Sequence, residues 1–168
     1  MAMTKITSTQ AVKTATSQVG YKQTGKSNKY GAWIHSHYPT FYNGNKSYCN
    51  WCDVFVDYCV LYNTKNAKDA EYILCQPARS CGAGVKWSYK YYKQHKRTSK
   101  TAKYGYQIFF TKDGKQSGLY HTGIVIKTDT KYVWYVAGNE SKSVKKHKIL
   151  RTNKKIYGYG RPRYTNAV

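Results

Sequence analysis

The sequence predicts an α+β fold, with helices in the first part of the chain and antiparallel strands in the second. Three observations predict it. Up to about residue 96, apolar residues recur at helical spacing. From Tyr104 onward the pattern changes to short strand-like runs punctuated by glycine and by Asp129. No internal repeat and no linker divides the chain, so its 168 residues read as one domain, 1–168, long enough to bury a core.

Taken in order, Thr7 to Gly20 reads as the first helix. Thr7 with Gln10 forms a capping-box pattern, Ala11, Ala15 and Val19 repeat every four residues, and Gly20 suits the C-terminal cap. Residues 21–47, rich in Gly, Asn, Ser and Lys, read as a long loop with aromatic anchors at Trp33 and Tyr38. The stretch Tyr48 to Tyr62 is the central helix: Val54, Phe55, Cys59 and Tyr62 make an apolar stripe. Asn50 suits its N-cap, and Asp53 favours the positive end of the dipole. Asn66 to Leu74 is a short helix stopped by Pro77, and Val85 to Lys96 a further one. The strands follow: Tyr106 to Phe110, His121 to Lys127, Lys131 to Ala137, Val144 to Arg151 and Ile156 to Tyr159. Thr128-Asp129-Thr130 is the tight link between the second and third.

Charge narrows the partners. There are 29 Lys plus Arg against 7 Asp plus Glu, a net charge of +22. Such a surface attracts anions: nucleic acid, or the anionic polymers of a bacterial cell wall. The 19 tyrosines fit stacking platforms for bases or sugars, or plain strand and core material. No apolar run reaches the roughly 18 residues of a membrane span. The N-terminus MAMTKITSTQ has no apolar core of a signal peptide. Five cysteines without a disulfide framework fit a reducing compartment.

The central helix carries the chemistry. Its register puts Cys52 in the first turn, among free backbone N–H groups that stabilise a thiolate. Cys59 lies on the apolar stripe and reads as an inert, buried hydrophobe. Cys49-Asn50-Trp51-Cys52 also matches a redox pair or half a zinc site. The first needs a βαβ context, and the second needs another ligand pair at suitable spacing, which Cys75, Cys81, His35 and His37 do not supply. A cysteine nucleophile needs a base, and the base an orienter. His121 opens a strand directly after a glycine-containing loop, and Asn139 ends the next strand. The short turn between those strands brings both residues to one place, where Asn139 can fix the tautomer of His121. His35, His37, His95 and His147 read as surface residues.

The chain resembles the CHAP family, the cysteine- and histidine-dependent amidohydrolases and peptidases. It is most similar to the endolysins of phages and prophages of Gram-positive, especially clostridial, bacteria. The matching stretches are AVKTATSQVGY (11–21), KYGAW (29–33), WCDVFVDY (51–58), SCGAGV (80–85), GYQIFF (105–110), HTGIV (121–125), Gly138-Asn139 and YGYGRPRY (157–164). The resemblance implies a papain-like fold, N-terminal helices packed on an antiparallel sheet, with Cys52 as nucleophile, His121 as general base and Asn139 as polar partner. Two departures stand out. Relatives commonly carry Glu-Gly-Asn where this chain has Ala137-Gly138-Asn139, and an acidic residue where it has Tyr106. By strand alternation Glu140 points away from the face shared by Ala137 and Asn139, so Asn139 is expected to orient the histidine alone. A carboxylate placed at Ala137 is then expected to raise activity. Residues 34–51 contain no Asp or Glu, so the calcium loop of some relatives is not expected, and no metal or cofactor is required.

The expected function is therefore peptidoglycan hydrolysis by a cysteine-dependent amidase or endopeptidase. It would be a monomer made in the bacterial cytoplasm without a signal peptide, acting at the cell wall after release. Its partners would be peptidoglycan and anionic wall polymer, with nucleic acid bound only non-specifically. Two alternatives stand beside it: a basic nucleic-acid-binding protein, and a catalytically impaired wall-binding relative.

Overall fold

The computed structural model describes residues 2–42, 44–79 and 84–166. Five α-helices precede or flank a six-stranded sheet: α1 Ser8–Ser17, α2 Lys29–His37, α3 Cys52–Thr64, α4 Ala67–Ile73, α5 Val85–Gln94, then β1 Thr98–Ser99, β2 Gln107–Thr111, β3 Leu119–Thr128, β4 Tyr132–Glu140, β5 Ser143–Leu150 and β6 Ile156–Gly160. The sheet order is β1-β6-β2-β3-β4-β5, with every neighbouring pair antiparallel. The expected α+β architecture is the observed one.

Local chemistry explains the boundaries. The capping box at Thr7 is complete: the Gln10 N–H donates to its hydroxyl and the Gln10 side chain accepts from its backbone N–H. Asn66 caps α4 by accepting from the Asp69 N–H at 3.1 Å. Asp129 closes the β3–β4 turn by accepting from the N–H groups of Lys131 and Tyr132. The expected loop at 21–47 instead contains α2. Asn28 accepts from the Gly31 N–H at 2.7 Å, and Tyr30 and Ile34, four apart, turn into the core. A side chain at Gly31 would meet the Lys46 carbonyl at 2.5 Å, so this helix depends on close backbone approach.

Helix α3 is the axis of the molecule. Every residue from Cys52 to Leu61 is buried. It packs against α1, α2 and α4 and lies on β3 and β4. Its apolar partners include Tyr30, Ile34, Phe41, Ile124, Val136 and Val144. Two carboxyl groups are buried with it. Asp53 accepts from Ser88 Oγ at 2.7 Å and Gln107 Nε2 at 3.0 Å. Asp57 accepts from the Tyr42 hydroxyl and from Gln76 Nε2 at 2.8 Å. Burial pushes both carboxyls up, and Asp53 pushes Asp57 further. Among the described residues, no helix is long and apolar enough to cross a membrane.

Candidate active site

Cys52 is the first residue of α3, as the sequence indicates, but the cap differs from expectation. Trp51, rather than Asn50, is the N-cap, and it makes no side-chain capping bond. Its indole is fixed elsewhere: Nε1 donates to Gln23 Oε1 at 2.7 Å, and its ring packs on those of Tyr21 and Tyr30. Large apolar anchoring replaces polar capping, and the first-turn N–H groups stay open beside the thiol.

The backbone N–H groups of Asp53, Thr122 and Cys52 itself lie around the thiol. They favour the thiolate. Burial outweighs them: with the side chain 6% exposed, and with the Asp53 carboxyl adding repulsion, the thiol is pushed up to about 12. Helix position alone predicts an activated thiolate; the structure instead holds a neutral thiol with thiolate donors already aimed at it. Such a thiol needs a base to take its proton.

Cys52 lines a cleft of about 540 Å³ with Asn50, Lys112, Tyr120, His121, Asn139 and Glu140. A second cleft, of about 340 Å³, leads from Cys52 past Tyr120 towards Val85, Lys86 and Trp87. The three residues singled out from sequence therefore share one cavity. No hydrogen bond joins the Cys52 thiol to His121 among the described residues.

The structure places Glu140, and not Asn139, against His121, whereas strand alternation pointed Glu140 away. His121 Nε2 lies 2.8 Å from Glu140 Oε1. Its ring also stacks on Phe110, with centroids 5.8 Å apart, and on Tyr120 at 6.1 Å. The alternation rule fails because the strand is not regular there. The β4–β5 pairing shifts register between Ala137 and Glu140, and Asn139 sits at φ 57°. That left-handed residue turns Glu140 onto the histidine. Ser141 and Lys142, both with positive φ, then form the two-residue turn into β5. Among the described residues the Asn139 side chain has no hydrogen-bond partner, although it lines the cleft.

Ala137 is fully buried among Phe110, Val125, Val133 and Tyr135. A carboxylate placed there would be buried in an apolar cluster, which opposes its charge. Gly138, next to it, allows β4 to touch the start of α3: an added Cβ would lie 2.7 Å from Phe55 Cβ and from Trp51 Cζ3. This close approach brings the β4 end to Cys52.

Two further features escaped the sequence reading. Gln107 Nε2 bridges Asp53 Oδ1 and Thr122 Oγ1, each at 3.0 Å, and Thr122 Oγ1 donates to the Ile108 carbonyl at 2.7 Å. This chain ties the first turn of α3 to β2 and to the segment of β3 that carries His121. Its only sequence signal is polar residues inside otherwise apolar strands. The other is His147, read as a surface residue but found in contact with Glu140 Oε2 through Nε2. Cys49, by contrast, does not line the cleft of Cys52 and His121, and its thiol donates to the Lys46 carbonyl at 2.8 Å. Burial pushes Cys59 and Cys75 up as well. Of the SCGAGV stretch, residues 80–83, with Cys81, lie outside the described residues. Among the described residues, no three His, Cys, Asp or Glu side chains are grouped to hold a metal ion. A scan of family models found no match to the chain, and searches of curated proteins and of solved structures found none.

Proposed function

We propose that the chain is a cysteine-dependent hydrolase of the CHAP kind, with a papain-like arrangement, that cleaves an amide bond of peptidoglycan. The observation that carries this reading is the shared cleft of Cys52 and His121, with His121 held by Glu140. Glu140 occupies Nε2 of His121 and leaves Nδ1 to take the Cys52 proton. The sulfur then attacks the amide carbonyl carbon, and backbone N–H groups around Cys52 stabilise the resulting oxyanion. The His121 imidazolium protonates the leaving amine as the C–N bond breaks, leaving a thioester. Water, deprotonated by His121, attacks the thioester; the carboxyl product departs and the sulfur regains its proton. Glu140 stabilises the imidazolium in both halves. It supplies the carboxylate that Ala137 lacks, which favours an active enzyme over an impaired wall-binding relative.

The test is mass spectrometry of muropeptides after digestion of purified cell walls. Release of one new amine and one new carboxyl group per cut is expected, and Cys52→Ser should release neither. Walls left intact by the folded wild-type chain would sink the reading.

A second, compatible role is binding of anionic wall polymer, with nucleic acid held only through charge. A lysine–aromatic ladder on the β3–β5 side favours it. Lys148 Nζ lies 4.0 Å from the Tyr132 ring centroid and 5.4 Å from that of Trp134, and Lys127 Nζ lies 4.8 Å from Trp134. Retention on purified walls should fall with salt and with Lys127→Glu/Lys148→Glu, if charge holds the polymer there.

A further inference from the structure

We propose that His147 is a positioning residue of this site, holding Glu140 from the side opposite His121 so that the two histidines and the carboxylate work as one unit. The inference rests on the hydrolase reading above. It starts from the geometry of a single carboxylate. Glu140 Oε1 faces His121 Nε2 on β3, and Glu140 Oε2 faces His147 Nε2 on β5. Each carboxylate oxygen therefore meets one imidazole nitrogen: Oε1 is hydrogen-bonded to His121, and Oε2 packs directly against His147.

The fold places His147 deliberately for this. In the β4–β5 ladder His147 pairs with Tyr135, and the two rings stack with centroids 5.4 Å apart and planes 29° apart. The Tyr135 ring also packs on Phe110, which stacks on His121. One aromatic row thus supports both histidines. Glu140 itself is only partly exposed, and although burial opposes its charge, the two histidines bring its carboxyl below the usual range. The groups that face this unit are Tyr135 from β4, and Lys112, Tyr120 and Cys52 across the cleft.

A carboxylate with one partner can rotate about its terminal bond and release His121 into the wrong orientation. The second donor removes that freedom. It also draws negative charge away from Oε1, the oxygen that faces His121.

The experiment compares His147→Ala and His147→Gln in the full chain. Steady-state wall hydrolysis is measured from pH 5 to 9, and the His121 ring is followed by NMR titration. Glutamine keeps a neutral N–H donor for Oε2. His147→Ala should lower kcat about tenfold, the scale of one hydrogen bond to a charged group, with KM unchanged. It should also move the acidic limb of the pH–rate profile, and the His121 titration, to higher pH, because Glu140 then presents its full charge to His121. His147→Gln should restore most of kcat. Loss of melting temperature in both variants, with the His121 titration unmoved, would show a packing role only and overturn the proposal. A shifted His121 titration in a chain that hydrolyses no wall would uphold the positioning role and reject the hydrolase reading.

Discussion

Replacing Glu140 by glutamine tests the site most directly. The carboxylate accepts from the imidazole of His121 through Oε1 and lies against the imidazole of His147 through Oε2. An amide has a single acceptor oxygen, so one histidine must face an NH₂ group instead. Hydrogen bonds to a charged group contribute about 1.5–3 kcal/mol, against about 0.5–1.5 kcal/mol for neutral pairs. If the amide oxygen stays on His121, the imidazolium loses about 1–2 kcal/mol, a fall in kcat of roughly fivefold to thirtyfold. If the NH₂ turns to His121, Nε2 must become the acceptor and Nδ1 carries the proton, the wrong tautomer for a base. Such a loss reaches about four orders of magnitude in a triad. The expected fall therefore lies between roughly fivefold and 10⁴-fold. Asn139→Ala should stay within about twofold, the scale of a surface change, since its side chain makes no hydrogen bond with a described residue. The assay is turbidity loss of purified walls, read beside the rate of Cys52 alkylation. An inactive Asn139→Ala beside a fully active Glu140→Gln would refute the reasoning.

Cys52→Ser should abolish hydrolysis with an unchanged melting temperature, whereas Cys49→Ser should remain active; the reverse pattern in the turbidity assay would place the nucleophile at Cys49. Gly138→Ala should cost about 1–3 kcal/mol in urea unfolding, the range for overpacking, because its Cβ would overlap Phe55 and Trp51. Ala137→Glu should lower the urea midpoint, by burying a carboxyl group among Phe110, Val133 and Tyr135, and should not raise activity. Asp57, whose folded carboxyl titrates above its unfolded value near 3.9, binds more protons folded than unfolded, so its contribution is best at low pH and is lost as pH rises from about 4 through the folded value. Asp57→Asn should therefore gain stability relative to wild type between pH 5 and pH 8 in urea melts; a relative loss over that interval would reverse the sign.

The parts of the site that were legible in the sequence are those set by local pattern. Cys52 in the first turn of α3 follows from the apolar stripe behind it, and His121 on β3 from the turn signals on either side. The parts that were not legible depend on partners far away in sequence. Glu140 reaches His121 only because Asn139 adopts a left-handed backbone, and strict alternation cannot anticipate a bulge. The state of the Cys52 thiol follows from burial and from the Asp53 charge, which helix position does not reveal. Helix α2 was hidden by a composition typical of loops, although Asn28 followed by Tyr30 and Ile34 was a usable signal. His147 lies on a strand rich in lysine, and its inward contact depends on the register of the β4–β5 ladder.

The burial of α3 from Cys52 to Leu61 bears on how the protein fails. Regions that open locally are those with exposed backbone and few apolar contacts. The first ten residues of α3 have no such side, and the candidate nucleophile is the first of them. Amide protons along this segment should exchange with solvent only when the whole chain unfolds, at rates that track global stability under native conditions. The reactive sulfur then has no partly open form in which the surrounding shell has melted while the rest stays folded. Heat should remove activity and tertiary structure in a single step, and added urea should leave turnover per folded molecule unchanged until the global transition begins.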